Sequence, residues 1–186
     1  MAKARAPLRA MVTYLEQLKR PPFLAPMPVN LHVALMKQTD MPLHFYRYLQ
    51  YHTGREWHWV ARLRLTDAAL SKMIHDPATS IHVLYVNGAP SGFFELNKTG
   101  SGNVNIEYFG LMRHAQKMGL GRWFLSQALE AAWEMSPAKV TVNTCTLDHP
   151  AALPLYQKLG FTPIGQSETF IHPLTEKDLL RIVQSR

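Results

Sequence analysis

Residues 106–124 read IEYFGLMRHAQKMGLGRWF, and the fold turns on how this stretch is understood. Its first third completes a strand-forming run, Val104 to Leu111, after the Gly100-Ser101-Gly102 turn. Its end enters a helix expected from about Met118 to Glu134, with Leu120, Phe124, Leu125, Ala128, Leu129 and Ala132 on one face. Between the two lies Gln116-Lys117-Met118-Gly119-Leu120-Gly121-Arg122. Glycine lets backbone pass close to a ligand, and a helix start presents N–H groups with no partner inside the helix. Such a turn suits a phosphate or pyrophosphate. Two glycines at a helix start read equally well as a tight turn that needs only conformational freedom. A dinucleotide fingerprint is disfavoured, because its third glycine is missing, and no Gly-Lys-Ser/Thr follows to make a nucleotide-triphosphate loop.

Upstream, Leu31–Gln38 reads as a strand and Pro42–His52 as a helix opened by an early proline. The aromatic-rich segment Glu56–Leu65 is helical in spacing, and Thr66–His75 is a short helix with Thr66 as its N-cap. Ile81–Val86 and Gly92–Leu96 are strands joined by Asn87-Gly88, a strong hairpin signal. Downstream come a strand at Lys139–Thr146, a helix at Pro150–Leu159 stopped by Gly160, and a strand at Phe161–Ile171. Thr175 and Asp178 approximate a capping box for a closing helix. The whole is a mixed α/β domain, antiparallel strands first and strand–helix alternation later.

Hydrophobic residues make up 47% of the 186 and charged residues 18%, the balance of one globular domain. No stretch approaches the ~18 consecutive apolar residues of a membrane span, so no membrane partner is expected. The single Cys145 cannot form an intramolecular disulfide, which favours a reducing, cytoplasmic setting. The net charge of +7 suggests an anionic partner. Yet Lys3, Arg5, Arg9, Lys19 and Arg20 stand against Glu16 alone in the first twenty residues, so most of the excess belongs to a leader. Residues 1–28 run from that basic start into Pro21, Pro22, Pro26 and Pro28, and read as an extension before a domain spanning 29–186. Within it, Ala10, Tyr14, Leu15 and Leu18 fit a helical stripe, while Val12-Thr13-Tyr14 suits a strand equally.

With that context, residues 106–124 resemble the cofactor segment of the GNAT superfamily of acyl-CoA N-acyltransferases. The signature Gln/Arg-x-x-Gly-x-Gly/Ala is met by Gln116, Gly119 and Gly121. A second stretch, HPAALPLYQKLGF at 149–161, resembles the family's Asn-x-x-Ala-x-x-Leu-Tyr-x-x-x-Gly-Phe and follows in the expected order. The resemblance implies an α/β (α+β) fold in a single domain, with a mixed, mostly antiparallel, twisted sheet flanked by helices. It implies acetyl-CoA as acyl donor, a small-molecule or peptide amine as acceptor, and direct transfer to a primary amine.

The implied roles fall on numbered residues. Gln116, Met118, Gly119, Leu120, Gly121 and Arg122 would bind the coenzyme A pyrophosphate. The backbone of Phe109, Leu111 and Arg113 would run beside the pantetheine arm, and the amide near Phe109 would polarise the thioester carbonyl. Tyr156 matches the tyrosine that resembling enzymes often use as general acid toward the departing thiolate; packing beside Leu153 and Leu159 is its plainer reading. Glu107 is the candidate general base and Glu95 its rival, each reading equally well as a solvated carboxylate at a cleft edge. Glu107 lies two residues closer to the loop than the family's glutamate, a shift that keeps a strand residue on the same face. His149 stands where the family has asparagine; facing the cofactor is one reading, and capping the next helix by Asp148 or His149 is the other.

Trp57, Trp59 and Tyr51 fall where related enzymes cover the acceptor site. The nine histidines show no ligand spacing, so no metal is expected. Nucleic acid is not an expected partner, because residues beyond the leader carry only the small remainder of the charge, and a homodimer is entertained as an assembly. The competing function is a non-catalytic acyl-CoA-binding or regulatory module on the same fold. The family normally ends in a strand pair, whereas this chain turns to a helix after Ile171; Val12–Glu16 is the candidate replacement strand.

Overall fold

A computed structural model describes residues 6–184. Seven strands form one sheet: β1 (Leu8–Gln17), β2 (Val33–Lys37), β3 (Thr79–Val86), β4 (Ala89–Lys98), β5 (Val104–Leu111), β6 (Val140–Cys145) and β7 (Thr162–Ile171). Five helices accompany it: α1 (Leu43–Gly54), α2 (Asp67–Ile74), α3 (Leu120–Glu134), α4 (Ala152–Lys158) and α5 (Glu176–Gln184). The strand order is β2-β3-β4-β5-β6-β1-β7. All neighbours are antiparallel except β5 and β6, whose parallel pairing follows from the crossover through α3. This is the mixed, mostly antiparallel sheet expected from the sequence.

Alternation along the strands gives each face its own core. Leu84, Phe94, Leu96 and Ile106 pack on one face with Phe124, Leu125 and Leu129 of α3. On the other face Ile81, Val83 and Phe93 meet Tyr46 and Leu49 of α1 and Leu70 of α2. Asn87 and Gly88 both take positive φ, 51° and 84°, and Val86 pairs with Ala89 across a two-residue hairpin turn. Thr66 caps α2 by accepting from Ala69 N. The Thr175–Asp178 capping box is reciprocal: Thr175 N donates to Asp178 Oδ2, and Asp178 N donates to Thr175 Oγ1.

Two sequence expectations need correction. The segment 56–65 is not one helix. Short 3₁₀ turns at Arg55–Trp57 and Arg62–Arg64 flank His58, which sits in the left-handed region at φ 57°. Residues 1–28 are also not wholly outside the domain. Leu8–Gln17 is a strand in the sheet, pairing with β6 on one side and β7 on the other, with Leu15 fully buried. It occupies the place the sequence offered to Val12–Glu16; of the two readings left open the strand holds, with Ala10, Tyr14 and Leu15 in β1 and Leu18 just beyond it. Lys3 and Arg5 lie outside the described residues.

Candidate active site

The site begins with a defect in β5. Ile106 pairs with Leu96 and Tyr108 with Glu95, so Glu107 is an extra residue, a bulge in the β4–β5 ladder. Bulges bend the strand that carries them and re-aim its side chains. The bulge also resets the alternation. Ile106 and Phe109, three apart, share the α3 face, whereas Glu107 and Tyr108 turn toward Arg62 on the other. The same-face argument from strand periodicity therefore does not hold across residue 107. On the β6 side, pairing stops at Ile106–Val142. Beyond it β5 and β6 part, and a cleft of about 570 Å³ opens between them.

One end of the cleft is the glycine loop. Gln116, Lys117, Gly119, Leu120, Gly121 and Arg122 line it. Lys117 and Gly119 adopt left-handed backbone, φ 64° and 76°, as the chain turns from β5 into α3. An added Cβ on Gly119 or Gly121 would sit in ordinary van der Waals contact at 3.8 Å, with Pro28 and Leu155 respectively, so neither position is closed by a clash. Lys117 and Arg122 bring positive charge to this end; Glu107 and Asp148 bring negative charge elsewhere along the wall. Phe109, Leu111, Glu107, His149 and Tyr156 line the same cleft, together with Trp57 and Trp59.

Arg113 and Met118 are not among the lining residues. Arg113 Nη1 reaches Glu56 Oε1 at 3.4 Å on the surface, and Met118 packs against the α3-side core. His149 Nδ1 accepts from Ala151 N at 3.0 Å in the turn that leads into α4, which has no side-chain cap of its own, and the histidine also faces the cleft. Tyr51 makes an edge contact with His52 and lies under Arg55, away from the cleft wall.

Tyr156 is 5% exposed, its ring edge-on to Phe109 and Phe161. Burial, reinforced by the charge of Asp148, pushes its pKa well above that of free tyrosine, so it carries its proton at neutral pH. Glu107 is partly exposed, with Asn105 Nδ2 donating to its Oε2 at 2.7 Å and Arg62 Nη2 lying 3.9 Å from its Oε1. Glu95 differs. It is fully buried, accepting from Arg62 Nη2 at 2.7 Å and from the Tyr46 hydroxyl at 2.5 Å. Burial raises its pKa and Arg62 opposes the rise. With both oxygens occupied and no place on the cleft wall, Glu95 holds Arg62 rather than serving the site.

Sequence reasoning missed the links that close the cleft. Trp59 Nε1 donates to Asp148 Oδ1 across 89 residues of chain, and no local pattern announces such a pair. Arg62 likewise gave no signal. Among the described residues, no group of three or more His, Cys, Asp or Glu is placed to hold a metal ion.

The profile of the acetyltransferase (GNAT) domain matches residues 54–172, well over half of the chain and everything from the end of α1 through β7. The chain belongs to the GNAT acetyltransferase family. Solved GNAT folds are similar at low identity. A GCN5-related N-acetyltransferase from Sphaerobacter thermophilus shares 16% identity with a TM-score of 0.60, over 93% of this chain and 55% of that one. A second, from Kribbella flavida, shares 15% with a TM-score of 0.56, over 90% and 59%. An IAA acetyltransferase from Bacillus cereus shares 20% with a TM-score of 0.55, over 72% and 79%. The GNAT chain described here thus spans well under two thirds of the first two. No curated protein matches it.

Proposed function

We propose that this GNAT protein transfers an acetyl group from acetyl-CoA to a primary amine of a small molecule or peptide. The observation that carries the reading is a single cleft. It joins a cation-flanked glycine loop to a bulged strand and to a protonated tyrosine. In this reading the pyrophosphate lies on the amides of 116–122, beside Lys117 and Arg122, where a helix start and two cations favour negative charge. The pantetheine arm follows Phe109 and Leu111 along the edge of β5 that β6 leaves unpaired. Arg113, which sits at the surface with Glu56, and Met118, which packs inward, then serve the cofactor less directly than the resemblance implied.

The amine nitrogen attacks the thioester carbonyl carbon. A C–N bond forms, the C–S bond breaks, and charge on the carbonyl oxygen is met by a backbone N–H near Phe109. Glu107 takes the amine proton, directly or through water, and Tyr156 gives its proton to the departing thiolate. No covalent enzyme intermediate is needed. Cytoplasmic placement rests on the composition. Among the described residues no helix is long and apolar enough to cross a membrane.

The test is thiol release from acetyl-CoA against a panel containing an aminoglycoside, a polyamine, free amino acids and short peptides. Amine-dependent thiol release, with coenzyme A binding as a companion measurement, is the expected result. Coenzyme A affinity with no release against any amine would replace this reading with the non-catalytic binding module.

A further inference from the structure

Past Ile106 and Val142 no backbone ladder joins β5 to β6, so the backbone does not fix how far apart the two cleft walls stand. Among the described residues, the hydrogen bond between Trp59 and Asp148 crosses between them. On the β5 side Trp59 is keyed into place by two glycines. A Cβ on Gly110 would come within 2.9 Å of the indole Cη2, and one on Gly54 within 2.4 Å of the tryptophan's own Cβ. The indole lies 5.2 Å from the Tyr108 ring and edge-on to Phe93, so it moves with β5 and its neighbours. On the β6 side Asp148 is moored to the end of that strand. Its Oδ2 accepts from Thr144 Oγ1 at 2.9 Å and from Cys145 N at 2.8 Å. Its Oδ1 then accepts from Trp59 Nε1 at 3.2 Å. Beside this bond, Trp57, two residues before Trp59, and His149, next to Asp148, meet ring to ring at 5.1 Å.

We propose that Asp148 is a positioning residue, its bond to Trp59 acting as a strut that sets the width of the slot between β5 and β6. Helix capping does not account for the carboxylate. Its donors are Thr144 and Cys145 of β6 and Trp59, while the Ala151 amide ahead of α4 is met by His149 Nδ1. Three donors from opposite walls converge on one side chain, and a bond to a charged acceptor is stronger than one between neutral groups. A slot held open at a fixed width spares its ligand the cost of ordering the walls. The inference rests on the acyl-CoA reading, because the strut matters to function only if a ligand lies in that slot.

The experiment pairs coenzyme A titration calorimetry with hydrogen exchange of the Trp59 indole proton, assigned by its loss in Trp59→Phe. In the wild type the indole proton exchanges slowly and coenzyme A binds. In Asp148→Ala the proton exchanges freely and coenzyme A affinity falls about ten-fold, the size of one charged hydrogen bond. Asp148→Asn keeps one acceptor oxygen for Trp59 while its NH2 meets the Cys145 amide, so it safeguards against misfolding of the alanine variant and recovers part of the affinity. The pair Trp59→Phe/Asp148→Ala is no weaker than the weaker single variant, as expected when both remove the same contact. Free exchange with affinity within two-fold of wild type overturns the strut while leaving the acyl-CoA reading intact. So do additive losses in the pair. A wild type that binds no coenzyme A overturns that reading and the strut together.

Discussion

Tyr156 can be tested with little disturbance of the fold. Its ring is packed against Phe109 and Phe161, yet its hydroxyl makes no hydrogen bond to another described residue and is not among the sealed polar atoms of the core. Tyr156→Phe therefore keeps the packing and strands no partner. Thiol release is expected to fall about a hundred-fold, within the range for a lost general acid, with coenzyme A affinity within about two-fold because the pyrophosphate loop is untouched. Unchanged release would assign the tyrosine to packing alone. Glu107→Gln removes the proposed base and keeps the shape. Turnover at neutral pH should drop at least about ten-fold, again without loss of coenzyme A binding, as kcat measured beside calorimetry would show. That Glu107 and Tyr156 lie along one cleft was legible in the sequence because strand, loop and helix follow one another in order. Which of two glutamates faces the cleft was not. That depends on a bulge at Glu107 and on the burial of Glu95 against Arg62 and Tyr46, both set by tertiary packing.

Elements were readable where local chemistry alone decides them. Asn87-Gly88 fixes a hairpin because both positions need positive φ, and β5 and α3 stand out through an apolar strand and a wide apolar stripe. The segment 56–65 misled because its spacing of Trp, Val and Leu fits a helix. Its real path serves the keyed indole of Trp59, which a regular helix would carry out of its slot. Strand β3 carries an expectation about pH. His82 is stacked on Phe94 at 4.5 Å, and burial, with Lys37 nearby, depresses its pKa to about 4. Between pH 6.5 and 4 the unfolded chain binds the proton and the folded one does not, so stability falls as pH drops through that window and holds above it. The effect is at most about 2 kcal/mol once partial exposure is discounted. Urea unfolding at pH 7 and pH 4.5 should show the wild type losing stability relative to His82→Gln. Parallel losses in the two proteins would remove the histidine from the account.

At the scale of the molecule, residues 6–20 are structural as much as basic. Arg9 pairs with Glu168 of β7, Arg20 with Glu130 of α3, and Glu16 receives Lys139 at 2.7 Å, so much of what reads as a charged leader is spent on the fold. The buried Gln17 donates to the Leu159 carbonyl and accepts from Trp133, tying β1 to the end of α4 and to α3. Strand β1 also carries β7, which has no other neighbour in the sheet, and Val12 and Ile171 reach the cleft wall from these two strands. The sequence offered Val12–Glu16 as this strand but left a helical stripe equally open, because the strand completing the far side of the cleft comes first in the chain while its partners come last. Two truncations separate the contributions. A chain beginning at Met11 loses Leu8, the Arg9–Glu168 pair and the buried Ala10 but keeps the register from Val12 to Gln17 against β6. It should fold with a loss on the order of 2 kcal/mol and retain coenzyme A binding. A chain beginning at Pro21 removes an interior strand, exposes the partners of Leu15 and detaches β7 from the sheet. It should show no cooperative thermal transition and no protected amides in β7 by hydrogen exchange. A Pro21 chain that melted like the full protein would mean that another segment fills the gap between β6 and β7, and the cleft would then lose the Val12 side of its wall.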